Sequence, residues 1–297
     1  MNISPKILLG LLIGVLASTI WGGHAAVARL ALTGQGLHVL DLLFCRYVPA
    51  SILLAPLIWR ERAAMRALGW RRIFVLFLFA GAGNLVLFAA ALTYSPATHG
   101  ATIAPMVSPI AGALLAWWLL KEAPTPGRIA ALAAMLMGVV IIAWDGLGMH
   151  PGAWRGDLLL VGAGSTWAVF TILLRRWQVP AIPATAAVTV VSVPFVLPPF
   201  LLYRAEAFFS LPTSLVIWML VAQGVLLGCV SMLLFARSVE MLGATRASTL
   251  SVVVPVMGLI TSALVLDETI GPVKALGATL SVSAMLVAVL FTGRRVG

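Results

Sequence analysis

Residues 7–31 read ILLGLLIGVLASTIWGGHAAVARLA: twenty-five residues with no acid, in which His24 and Arg29 are the only ionisable side chains. An α-helix crosses the hydrocarbon core of a bilayer in about 20 apolar residues, and in lipid each backbone N–H and C=O must bond inside its own segment. This stretch therefore reads as a membrane-spanning helix. A secretory leader has a similar basic start and small residues, but nine further apolar runs make residues 7–31 the first anchor of a set. The others are Leu42–Trp59, Ile73–Thr93, Thr98–Leu120, Ile129–Trp144, Trp154–Leu174, Ile182–Tyr203, Pro212–Ala236, Ala247–Leu266 and Val273–Phe291.

Composition agrees with lipid as the solvent. The chain is 62% apolar and 9% charged, where a soluble domain carries about 25% charged residues. Its net charge of +10 comes from short Lys/Arg clusters between the apolar runs, not from one basic face, which argues against a nucleic-acid partner. Cys45 and Cys229 each lie inside an apolar run with no CxxC spacing, so they read as buried thiols and not as a disulfide or metal site.

Orientation follows from the loops, because Lys and Arg are retained on the cytoplasmic side. With the N-terminus inside, fourteen fall on the cytoplasmic side (Lys6, Arg60, Arg62, Arg66, Arg71, Arg72, Lys121, Arg128, Arg175, Arg176, Arg237, Arg246, Arg294 and Arg295). Arg29, Arg155, Arg204 and Lys274 fall on the other, and Arg46 lies within the second run. A bacterial-type inner membrane protein with both termini cytoplasmic is expected.

The first run has a second copy. An offset of 146 residues pairs Pro5 with Pro151, Gly10 with Gly156, Leu12 with Leu158, Val15 with Val161, Ala17 with Ala163, Trp21 with Trp167 and Arg29 with Arg175. It also pairs Pro109 with Pro255, Gly112 with Gly258, Glu122 with Glu268 and Pro126 with Pro272, while Ala97-Thr98 matches Ala244-Thr245 with one residue gained. Five spans per half is an odd number, so the second half enters the membrane from the opposite side. The expected fold is all-α: ten transmembrane helices as two inverted five-helix repeats, residues 1–146 and 147–297. Inverted repeats are typical of secondary transporters, whose substrate site lies near the midplane between the halves.

Ser18-Thr19-Ile20-Trp21-Gly22 in the first run, Ser165-Thr166-Trp167 in the sixth, and the doubled Glu122-x3-Pro126 and Glu268-x3-Pro272 together resemble the drug/metabolite transporter superfamily, EamA branch. The resemblance covers almost the whole chain. It implies a ten-helix exporter of amino acids or other metabolites and no cofactor. The chain departs from the small multidrug exporters of that superfamily, which hold cationic drugs on a carboxylate in their first helix. All nine acids here lie in loops or near span ends, which favours a neutral or zwitterionic solute.

Polar and aromatic groups inside the spans are the binding candidates. Trp21 and Trp167, paired by the repeat, are expected to line a midplane aromatic site, with cation–π attraction for an ammonium group; tryptophans that only pack helices would look the same. His24, one turn beyond Trp21, titrates near neutral pH, or else bonds a neighbouring helix. Asn84 is a substrate contact or a helix-to-helix link. His99 and Thr102 in the fourth run and Ser248 and Thr249 in the ninth are cavity-lining candidates, with His99 at the outer entrance. Pro105, Pro109 and Pro255 remove backbone donors and are expected to interrupt their helices as gates or as static kinks. Arg46 is expected to snorkel to the outer face, and Trp59, Trp70, Trp144 and Trp154 to form the interfacial belt.

The expected function is secondary export of small metabolites, amino acids foremost and aromatic ones among them, by alternating access of the two halves, with a small-molecule substrate and membrane lipid as partners. An intramembrane enzyme is the alternative from another class, but there is no HExxH, GxSxG or Walker A sequence. A passive channel needs a continuous polar lining.

Overall fold

The computed structural model describes residues 5–149, 152–243, 247 and 249–292. Among them the chain is helical with short connections. Eight helices are long and apolar enough to cross a membrane: α1 (Pro5–Gly34), α2 (Val39–Arg60), α3 (Trp70–Tyr94), α4 (Ala97–Leu120), α5 (Pro126–Asp145), α6 (Ala153–Trp177), α7 (Ala181–Tyr203) and α8 (Thr213–Leu242). Two shorter apolar helices, α9 (Leu250–Leu266) and α10 (Pro272–Ala288), follow. The chain is a multi-pass membrane protein of the two-repeat kind.

The packing maps onto itself when the halves are exchanged. α4 lies against α6 and α9 against α1; α3 lies against α6 and α8 against α1; α2 meets α8 and α7 meets α3. The pairs α2·α7 and α5·α10 are their own images. At the α5·α10 crossing the Ser281 hydroxyl donates to the carbonyl of Met135, its own counterpart 146 residues earlier, at 3.3 Å. A Cβ on Gly138 would strike Ser281, and one on Gly277 would sit 2.8 Å from the Gly138 carbonyl. Close backbone approach of this kind, made by small residues, is what holds helices together where lipid supplies no hydrophobic drive.

The repeated Glu-x3-Pro motif acquires a structural meaning here. α4 and α9 both end on a left-handed residue, Lys121 (φ 58°, ψ 26°) and Asp267 (φ 53°, ψ 26°), positions 146 apart. That conformation is disfavoured for a residue such as Lys and tolerated by Asp, and both halves adopt it just before the repeated glutamate. The prolines then open α5 and α10, where a missing N–H costs nothing.

Tryptophans Trp59, Trp70, Trp144 and Trp154 are exposed near helix ends, and arginines lie over three of their rings, Arg62 on Trp59 at 4.9 Å, Arg71 on Trp70 and Arg155 on Trp154. Amphipathic rings beside cations are the composition of a headgroup belt. Cys45 and Cys229 are free and buried.

Candidate functional site

The four residues repeated as Arg29/Arg175 and Glu122/Glu268 join crosswise. Arg29 of the first half pairs with Glu268 of the second at 3.5 Å, and Arg175 of the second half pairs with Glu122 of the first at 2.8 Å. Each bridge links the last part of one half's first helix to the end of the other half's fourth. They occupy opposite ends of the bundle, and their surroundings differ.

At the Arg29 end everything is closed. Arg29 also donates to the carbonyls of Leu92 and Ser95 at the end of α3. The Glu268 carboxylate accepts from the first backbone N–H groups of α4, Ala97 at 2.7 Å and Thr98 at 2.9 Å, satisfying donors that a helix start leaves free. Next to them, the His99 imidazole donates from Nδ1 to Asp157 Oδ1 at 2.8 Å, and the Ser95 hydroxyl is within reach of Asp157 Oδ1 and the Ala153 carbonyl. His99 is fully buried, so it does not line an open entrance as expected: the α4·α6 contact covers it. Nor do all the acids placed near span ends lie at the surface. Asp157 and Asp41 are both buried, because each, though near a helix end in sequence, is covered by the opposite half. Asp41 caps the start of α2 through the His38 N–H and takes two hydrogen bonds from Arg204, whose guanidinium is held above its ordinary pKa by that bonding.

At the Arg175 end the structure is looser. Arg175 and Glu122 keep 52% and 46% of their side-chain exposure, against 21% and 15% for Arg29 and Glu268. An open cleft here is lined by Glu122, Thr171, Leu174, Arg175 and Gln178. Trp167, Thr171 and Arg175 are spaced by four and share one face of α6. Trp167, two turns from Arg175 on that face, is 42% exposed. The helix crossings agree. A Cβ on Gly22 of α1 would lie 2.7 Å from the Val254 carbonyl of α9, whereas the related crossing of α4 and α6 leaves 4.0 Å between a Cβ on Gly112 and that of Ala168.

Between the ends, each aromatic candidate packs on a phenylalanine. Trp21 packs on Phe235 (centroids 5.0 Å apart), His24 stacks on Phe88 (4.7 Å, 9° between planes), and Trp167 leans on Phe170 (5.2 Å). Asn84 is a link between helices: its amide donates to the Ala163 carbonyl and the Thr166 hydroxyl of α6, both at 2.8 Å. Thr102 is buried and bonds its own helix through the Thr98 carbonyl, and Thr249 is half-buried just before α9. Ser248, Ala244, Thr245 and His150 lie outside the described residues. Arg46 does not reach an outer face. It turns inward from α2 and donates to the Gln223 carbonyl of α8 at 3.4 Å.

The helix irregularities also differ from those expected of the prolines. α4 runs unbroken through Pro105 and Pro109, since packed neighbours hold a helix on both sides of a freed carbonyl. Pro255 stands in the first turn of the α-helical part of α9, after a 3₁₀ turn at Leu250–Val252, where it removes no internal bond. The breaks occur at Gly23 in α1 and Gly81 in α3, and α8 carries a π-helical stretch over Leu220–Val230.

The chain is similar to known proteins along most of its length. The EamA-like transporter family matches twice, at residues 8–144 and 154–290. A protein of Archaeoglobus fulgidus named an uncharacterized transporter is 31% identical over 165 residues, 53% of this chain and 54% of that protein, so the chain spans about half the length of this relative. The uncharacterized transporter YwfM of Bacillus subtilis is 26% identical over 68% of this chain and 67% of its own. A solved structure, described only as the crystal structure of a protein, superposes with a TM-score of 0.61 at 17% identity, covering 97% of this chain and 98% of its own, a likeness of fold. Two family matches, one on each half, bracket the crossed ion pairs, and the chain belongs to the EamA-like transporter family.

Proposed function

We propose that the protein is a secondary exporter of small zwitterionic metabolites, amino acids foremost, that works by alternating access in a bacterial-type inner membrane with both termini cytoplasmic. Residues 1–146 and 147–297 are its two inverted units. The observation that carries this reading is the pair of crossed bridges in unlike states. Arg29–Glu268 is embedded in a network of hydrogen bonds and mostly buried, while its image Arg175–Glu122 is half exposed and lines an open cleft with Thr171 and Gln178. In inverted repeats the opposite state is made by exchanging the two conformations. Opening the Arg29 end then amounts to giving Arg29 and Glu268 the exposure now seen at Arg175 and Glu122. Loop charges support Arg175 on the cytoplasmic side, and in that orientation the protein faces inward.

The test is flux through purified protein in liposomes loaded with single amino acids. Saturable efflux above protein-free vesicles is expected for at least one of them. Absence of flux for all twenty overturns the reading, and flux that rises linearly without saturation assigns a pore instead.

A further inference from the structure

We propose that Arg46, with Gln223 and His24 beside it, is the anion-binding end of the substrate site and takes the carboxylate of the transported solute. The inference deepens the transporter reading above and rests on it.

Arg46 is the eighth residue of α2, about 10 Å along the helix axis from its start; His24 and Gln223 lie about 15 Å from the same-side ends of α1 and α8. In a hydrocarbon core about 30 Å thick, His24 and Gln223 are close to the middle and Arg46 about a third of the way in. A cation at that depth is costly without a partner, and such groups mark substrate pathways. Arg46 has no carboxylate within ion-pair distance among the described residues, which include all nine acids of the chain. Five of them are engaged elsewhere inside the fold or at its ends: Asp41 with Arg204, Asp157 with His99, Glu122 with Arg175, Glu268 with Arg29 and Asp145 with Lys274. One hydrogen bond, 3.4 Å to the Gln223 carbonyl, leaves most of the five guanidinium donors free.

The neighbours have unused capacity of the matching kind. Gln223 is fully buried, and neither its side-chain oxygen nor its nitrogen has a partner; the same holds for Nε2 of His24. Native proteins leave few such groups, and each calls for an explanation. The backbone around them is also shaped for the purpose. Gln223 sits in the π-helical stretch of α8, a rare form that is frequent at functional sites. Gly224 and Gly228 bring that stretch onto α2 so closely that a Cβ would meet the Cys45 carbonyl and Pro49 at one, Ala50 and the Arg46 carbonyl at the other. The result is a guanidinium of α2 held at the backbone of Gln223 in α8, with the part of α1 that carries His24 packed against the same stretch of α8. A carboxylate can take two parallel hydrogen bonds from the guanidinium and a third from the Gln223 amide. Trp21 on Phe235, one turn from His24 toward the Arg175 end, leaves an aromatic surface for the rest of the solute.

The experiment uses the full-length protein and changes the ligand before the protein. Thermal unfolding in detergent is followed with each of the twenty amino acids, and every one that stabilises is compared with its amino-alcohol, which keeps the ammonium and side chain but lacks the carboxylate. At least one amino acid is expected to bind about tenfold or more tightly than its amino-alcohol, as a site built around buried donors requires. Flux in liposomes is then measured for wild type, Arg46→Lys and Arg46→Gln. Lys keeps the charge but not the fork, so a raised KM with residual flux is expected, and loss of flux in Gln. The proposal is overturned if amino-alcohols stabilise as well as amino acids, if no amino acid stabilises, or if folded Arg46→Gln transports with unchanged KM. Carboxylate-selective stabilisation without flux supports the site and overturns the transporter reading instead, so the two fail separately. Should Arg46→Gln not fold, the ligand comparison on the wild-type chain decides alone.

Discussion

Replacing Glu268 by Gln should destabilise the protein far more than the same change at Glu122, although the repeat makes the two positions equivalent. The Glu268 carboxylate takes two backbone N–H bonds at 2.7 and 2.9 Å from the start of α4 and faces Arg29 at 3.5 Å, with both side chains mostly buried. Gln keeps the shape and one acceptor, but turns an NH2 group toward the second N–H and removes the charge opposite Arg29. A hydrogen bond to a charged group is worth about 1.5–3 kcal/mol, and a carboxylate at a helix start about 0.3–1 kcal/mol more. The change should therefore cost about 2–4 kcal/mol. Glu122 and Arg175 are half exposed, and an exposed pair contributes about 0–1 kcal/mol. The assay is reversible unfolding by SDS in mixed micelles, followed by tryptophan fluorescence, on each single variant, on Arg29→Gln and Arg175→Gln, and on both doubles. Coupling energies of about 1.5 kcal/mol or more for Arg29–Glu268 and about 0.5 or less for Arg175–Glu122 are expected. Equal couplings would refute the asymmetry on which the inward-facing reading depends.

A cysteine at Thr171 should react with a polar thiol reagent about tenfold or more faster than one at Thr102, since the first lines the cleft and the second is buried; native Cys45 and Cys229 are buried and give little background. Equal rates would remove the cleft. Asp157→Ala should cost about 3–5 kcal/mol in the same unfolding assay by stranding His99 in a closed contact, and a loss under about 1 kcal/mol would show that the pair is dispensable. Asn84→Leu should cost about 0.6–2 kcal/mol, the range for hydrogen bonds between membrane helices, and leave the substrate KM unchanged; a raised KM with normal stability would make Asn84 a substrate contact.

The helix count was legible because a lipid solvent leaves few alternatives: long apolar runs must be helices. The inverted pairing was legible because Arg, Glu and Pro recur at one offset where composition does not explain them. The crossed bridges were within reach of the same signal, since opposite charges repeated at a single offset in inverted halves can meet only crosswise. Burial was harder to read. Asp157 lies five residues into α6 and Arg46 eight into α2, positions that look like ends along the chain; it is the other half, packed over them, that makes them interior. The role of Gly23, Gly81 and the π-helical part of α8 was hidden for a different reason. Pro announces its lost donor in the sequence, whereas a helix break at Gly depends on which neighbour approaches it.

The crossing of the bridges has a consequence for ancestry. Each bridge takes its Arg from one half and its Glu from the other, so a single five-helix unit bearing one Arg and one Glu would have closed both ends merely by pairing head to tail with a copy of itself. Neither bond would be available to a lone unit.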